Sequence, residues 1–243
     1  MIIEEKYNIC YIDGKRYYVT SMADSVLSED TIPYLFEYND ISIYESSWVN
    51  MAVKVLEELD KRNPKSREFL LGLGFSWTNQ KVFSDKPRTN HKSFRDIYLN
   101  TNFAATNLRK VLQRILEIYD IDMSKCKLIT RYHPAVEPIE VREYFRMKNI
   151  DSFRNFLKLK GLSDENVERV INNIERLSKK YLSTLSKGYD DFFLFDDLQY
   201  FCNYRDKVIK HYKNIYPSGN NETVEKVLNY LTAFYKMEKN NKK

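Results

Sequence analysis

Residues 163–185 read SDENVERVINNIERLSKKYLSTL. Ser163 offers a side-chain oxygen to a first helical turn, and Asp164 and Glu165 place negative charge where the helix dipole favours it. Val167, Val170, Ile171, Ile174, Leu177, Tyr181, Leu182 and Leu185 then recur at three- and four-residue spacing. That period predicts one continuous amphipathic helix, with Gly188 as its natural terminator.

The same period extends on both sides. A helix over about residues 196–216 is ended by Pro217-Ser218-Gly219, and a last helix from about Glu222 carries Val224, Val227, Leu228, Leu231 and Tyr235. Upstream, Pro138 suits the first turn of a helix running to Lys148, and a further helix over residues 152–160 stops at Gly161. Several helices on short connections make residues 135–243 a helical bundle.

Residues 46–134 form a middle, mostly helical region with a possible recognition or regulatory role. Trp48, Met51, Ala52, Val55, Leu56 and Leu59 mark one helix, with Ser46 or Ser47 as its cap and Pro64 beyond its end. A short helix over 67–73 follows, then residues 74–98 as loop with short strands. Leu108, Val111, Leu112, Ile115 and Tyr119 mark a second long helix, which Asn102 can cap, and residues 128–132 suit a short strand. His133-Pro134 and Glu137-Pro138 punctuate the boundary with the bundle. Residues 1–45 open with a hairpin, two β-rich runs around Asp13-Gly14, and add an extended piece at 41–44. The expected fold class is mainly α: a C-terminal helical bundle with a small N-terminal region containing a β-hairpin.

The 243 residues are 43% hydrophobic and 30% charged, the balance of a globular protein with a real core. No apolar run reaches the roughly 20 residues of a membrane span. Met1 to Lys6 lack the basic and apolar segments of a secretory signal, so a cytoplasmic location is expected. Cys10, Cys126 and Cys202 are an odd, scattered set, which argues against a disulfide framework. His91, His133 and His211 are equally dispersed, so no sequence-local zinc site is written here, and no metal or cofactor is expected. From residue 124 onward 23 Lys/Arg face 16 Asp/Glu, an excess of +7 that suits a polyanionic partner.

The chemistry concentrates in Asn203-Tyr204-Arg205-Asp206-Lys207-Val208-Ile209-Lys210-His211. Imidazole moves a proton near neutral pH, and guanidinium holds a phosphate and its developing charge. An arginine, a polar residue directly after it and a histidine six positions on resemble the Arg-X4–6-His signature of HEPN domains, all-helical and often metal-independent endoribonucleases. The specific match covers the motif helix, while length and helix content agree over about residues 135–243. The resemblance implies that His211 is general acid or base and that Arg205 grips the scissile phosphate. Asp206 would orient Arg205, and Asn203, Lys207 and Lys210 would contact the RNA backbone.

Helix geometry constrains that reading. At 100° per residue Arg205 and His211 lie about 120° apart around the axis and roughly 9 Å along it. The resemblance therefore implies a homodimer in which two motif helices meet and both copies line one cleft. It also implies a toxin–antitoxin or phage-defence setting, with an antitoxin or sensor protein as a possible partner. A non-catalytic nucleic-acid-binding or adaptor protein that dimerises through the bundle is the alternative, because Leu198, Phe201, Cys202, Ile209 and Tyr212 make this an amphipathic helix without any catalysis.

Three other groups invite chemistry. Glu137, Glu140 and Glu143 recur every third residue around Pro138, as acidic residues do at a helix start. Asp190, Asp191, Asp196 and Asp197 flank Phe192-Phe193-Leu194-Phe195, which reads either as a capped aromatic knot or as an exposed patch. His91 sits among Lys86, Arg88, Lys92 and Arg95 with Phe83 and Phe94 nearby, a basic–aromatic mixture able to grip a nucleic-acid backbone.

Overall fold

The computed structural model describes residues 3–24, 31–103, 105–132, 137–186, 189–217 and 221–241. Its first elements are α1 (Ile3–Lys6), β1 (Ile9–Ile12), β2 (Lys15–Ser21), β3 (Thr31–Tyr38), β4 (Ile41–Tyr44), α2 (Trp48–Arg62) and α3 (Arg67–Gly72). Then come β5 (Phe83–Ser84), β6 (His91–Phe94), β7 (Ile97–Asn100), α4 (Ala105–Ile118) and β8 (Lys127–Tyr132). The chain ends with α5 (Ile139–Leu159), α6 (Asp164–Leu177), α7 (Ser183–Leu185), α8 (Leu198–Ile215) and α9 (Asn221–Asn241), a π-helical turn, Ser178–Leu182, joining α6 to α7.

The fold is mixed α/β with a helical C-terminal part. Five strands bond in the order β1-β2-β8-β3-β4, and three more in the order β5-β7-β6. The mainly-α expectation is corrected here: the β structure reaches well beyond an N-terminal hairpin. Expected features at His133 and Pro134, Gly188, and Ser218 and Gly219 lie outside the described residues. No described helix is long and apolar enough to cross a membrane.

The chain forms two compact units, Met1–Arg16 with Tyr132–Lys243, and Tyr17–Arg131. In the second, α2 starts where Ser47 accepts the Asn50 N–H, and its apolar stripe packs against α4. Val55, Leu56, Leu112, Ile115 and Leu116 are fully buried, each such side chain contributing about 1.5–3 kcal/mol of transfer free energy. β3 and β4 form a hairpin, Leu35 opposite Tyr44 and Tyr38 opposite Ile41. Ile41 and Ile43 face inward while Ser42 and Tyr44 face water, the two-residue period of a half-buried strand. Asp60, buried at the end of α2, accepts from the Tyr119 hydroxyl at 2.7 Å and the Lys65 N–H at 3.2 Å, and pairs with Arg95.

In the unit that contains the bundle, Asp13 and Gly14 take φ of 51° and 77°, the two positive angles that a type I′ hairpin turn requires. Residues 139–159 are one helix, where two were expected. No Gly or Pro interrupts them, and Asp151 bridges to Arg154 at 2.5 Å across the expected break. Gly161 ends the run at φ 83°, with Leu162 N–H returning to the Leu157 carbonyl at 3.2 Å. Ser163 caps α6 as expected, but the helix widens into the π turn before Leu185. There Ser178 donates to the Ile174 carbonyl at 3.0 Å and accepts the Phe192 N–H at 3.0 Å. The run Phe192-Phe193-Leu194-Phe195 is core, packed with Phe153, Phe201 and Phe234.

Candidate active site

The motif lies on α8, whose start is fixed by Asp197. That carboxylate accepts the N–H groups of Gln199 and Tyr200 at 2.8 and 3.2 Å and pairs with Lys15 at 2.5 Å. Phe201 and Val208 are the helix's fully buried anchors. Arg205, at i+4 from Phe201, is carried on the same face toward α9.

Arg205 is held in one orientation. Its Nε and Nη2 lie 2.8 and 2.7 Å from Asp206 Oδ1, and its Nη1 donates to Thr232 Oγ1 at 3.0 Å. Thr232 is itself buried and donates to the Leu228 carbonyl at 2.8 Å. Two of the five guanidinium N–H groups are thus hydrogen-bonded among the described residues, and Nη2 adds an ion-pair contact. Asp206 thus lies against Arg205. Thr232 was not legible as a contributor, because a helix partner 27 residues away leaves no local signal.

His211 leaves α8 elsewhere. It is half-buried, its ring edge-on to Tyr181 with centroids 5.9 Å apart, and its nitrogens have no hydrogen-bond partner among the described residues. The structure brings Asp206 to Arg205 but brings His211 to neither within one chain. Asn203 accepts from Gln199 at 3.2 Å, Lys207 lies 4.6 Å from the Tyr204 ring centre, and Lys210 is exposed.

Most of the carboxylates in the two acidic groups are engaged by nearby donors. Glu137 takes Arg16 through both oxygens, and Glu140 takes Lys6 at 2.7 Å and Tyr7 at 2.9 Å. Asp190 pairs with Arg142, Asp191 with Arg146 at 2.6 Å, and Asp196 accepts the Arg16 N–H at 3.1 Å. Among the described residues no three His, Cys, Asp or Glu side chains are grouped to hold a metal.

The basic cluster near His91 is also altered by the fold. Phe83 and Phe94 are core and cannot stack on a base, and Arg95 is tied to Asp60 and to the Lys65 carbonyl at 2.8 Å. Arg88 and His91 do border an open cleft in this unit, and burial, with Arg88 nearby, holds the His91 imidazole below its ordinary range.

Comparison with protein-family models, curated proteins and solved structures gives no match.

Proposed function

We propose that the chain is a metal-independent endoribonuclease of the HEPN type, acting as a homodimer. The observation that supports this most is Arg205, pinned by Asp206 and Thr232, on the same helix as a His211 whose nitrogens have no hydrogen-bond partner among the described residues. Preorganised donors stabilise developing charge without reorganisation at the moment of reaction.

In this reading His211 takes the proton of an RNA 2′-hydroxyl, and that oxygen attacks the adjacent phosphorus. The 2′-O–P bond forms as the P–O5′ bond breaks, and a protonated imidazole returns a proton to the departing 5′-oxygen. Arg205 bears the extra charge on the phosphorane. The products are a 2′,3′-cyclic phosphate and a 5′-hydroxyl. Because Arg205 and His211 of one chain face different neighbours, the reacting set is built from two copies. Lys207 and Lys210 offer cations to the flanking phosphates. The motif resemblance also supports a toxin–antitoxin or phage-defence role, with RNA as target and a restraining partner.

That divergence favours the second reading, a binding module without catalysis, wherever the chain is a monomer. RNA cleavage in EDTA by wild type and by a folded His211→Ala variant tests the proposal. Scission by wild type alone, leaving cyclic phosphate ends, is the expected result. No scission by either protein, or equal scission by both, would leave salt-dependent binding as the remaining function.

A further inference from the structure

Tyr181, the ring against His211, is also one wall of a cleft of about 340 Å³. This falls at the small end of the roughly 300–1,000 Å³ typical of ligand pockets. The π turn and the end of α6 supply Asn173, Arg176, Lys180 and Tyr181, and the end of α8 supplies Tyr212 and Tyr216. The first turns of α9 close the cleft with Thr223, Val224 and Val227. None of its lining residues is a carboxylate.

Its cations stand apart from their neighbours on the bundle. Arg142, Arg146, Arg154 and Arg169 each hold a carboxylate, whereas Arg176 has no hydrogen-bond or ion-pair partner among the described residues. Lys180 is satisfied by aromatics: its Nζ lies 5.2 and 5.5 Å from the Tyr181 and Tyr216 ring centres and 3.2 Å from the Tyr216 hydroxyl. That ammonium also holds the Tyr216 phenol below its ordinary range. Asn173, Arg176 and Lys180 follow an i, i+3, i+7 stripe, so one face of the α6 helix and its π extension points amide, guanidinium and ammonium the same way. π turns are rare and are frequently found at functional sites.

Three tyrosine rings gather at the cleft. Tyr212 and Tyr216 have centroids 5.1 Å apart, and Tyr181 stands edge-on to Tyr212 at 5.7 Å. Tyr216 is 39% exposed, a large aromatic face left in water beside two cations. The start of α9, a 21-residue helix, adds partial positive charge at the same cleft. The cleft suits an anion that carries a flat ring.

We propose that this cleft binds one nucleotide of single-stranded RNA, its base on Tyr212 and Tyr216 and its phosphate on Arg176 and Lys180. RNA as the occupant rests on the ribonuclease reading, while the cationic and aromatic character of the cleft is independent of it. Tyr181 is shared with His211, so a nucleotide seated here puts the neighbouring phosphodiester on the His211 side.

The test uses the full chain carrying His211→Ala, so that RNA survives, and reads the fluorescence anisotropy of a labelled octauridylate. Adding Arg176→Ala and Lys180→Ala together is expected to weaken binding at least about tenfold. It should also lower the slope of log affinity against log salt by about 0.7 for each phosphate no longer neutralised. Tyr216→Ala is expected to weaken binding about fivefold or more, as loss of a stacked base does, while Tyr216→Phe retains it. These side chains are exposed, and circular dichroism melts are the check that the variants fold.

Affinity and salt slope unchanged within about twofold, or no octauridylate binding at low salt, would overturn the assignment. Full displacement by uridine monophosphate at its own micromolar affinity would transfer the cleft to a free nucleotide and overturn it too. Wild-type cleavage, assayed in parallel, separates the two proposals. Binding that depends on the cleft without cleavage keeps the subsite and removes the nuclease. Cleavage with cleft-independent binding does the reverse.

Discussion

Arg16 and Glu137 are 121 residues apart in sequence and meet in a two-pronged buried ion pair, Nε to Oε1 at 3.1 Å and Nη2 to Oε2 at 3.0 Å. The guanidinium also lies 4.3 Å from the Phe145 ring centre. The pair links the start of β2 to the approach to α5 within the unit that holds the bundle. With both side chains 7% exposed or less, removing one partner strands a buried charge. Glu137→Ala is expected to cost about 3–5 kcal/mol in urea unfolding, whereas the double replacement Arg16→Met with Glu137→Leu recovers most of the loss.

Asp197 gives a pH-dependent prediction. Burial pushes its carboxyl upward, but Lys15 at 2.5 Å and the N–H groups of Tyr200 and Gln199 outweigh that and hold it below the ordinary carboxylate range. A folded value below the unfolded one of about 3.9 means that the contribution is present above that pH. It is lost as pH falls through the folded value. Asp197→Asn keeps a cap acceptor but loses the ion pair, so its urea midpoint should fall short of wild type at pH 7, and the gap should narrow as pH falls below the ordinary carboxylate range. Asp197→Ala, which loses the cap as well, is expected to cost about 1–2 kcal/mol at pH 7.

What the sequence made legible was local. Helices α2, α4 and α9 and the start of α6 declare themselves by apolar spacing, and Ser47, Ser163 and Asp13-Gly14 mark their boundaries by side-chain chemistry. β3 was not legible, since Pro33 argues against a paired strand. On the β4 side the ladder engages only Leu35 to Tyr38, which leaves Pro33 outside it. The β6–β7 turn was missed for another reason. Arg95 takes φ of 51° there, a conformation usually signalled by Gly or Asn, and its long-range ties to Asp60 and Lys65 hold it in place. In the candidate site, Asp206 could be read beside Arg205, but Thr232, the π turn and the gathered tyrosines arise from packing between helices.

Thr232 acts on the proposed reaction only through Arg205, as a positioning residue. Thr232→Val preserves shape but removes the acceptor that holds Nη1. It is expected to lower kcat for RNA cleavage about tenfold with KM changed less than about twofold, the pattern of an interaction realised in the transition state. Arg205→Ala removes the charge itself and should cost about 10²–10³ in kcat. Equal loss of KM and kcat in the Thr232 variant would assign the threonine to binding or to folding instead.

The composite site makes the sharpest prediction. Arg205 turns to Thr232 and His211 to Tyr181, so the proposed nuclease would bring Arg205 of one subunit beside His211 of the other. Arg205→Ala and His211→Ala homodimers are each expected to be inactive. Subunit exchange between them produces a heterodimer in which one interface pairing retains both side chains, and RNA cleavage should return to a substantial fraction of wild type. Size-exclusion chromatography with light scattering checks that dimers form and exchange. Dimers that exchange without regaining activity would show that both residues must come from the same chain, which the divergence of their side chains along α8 disfavours.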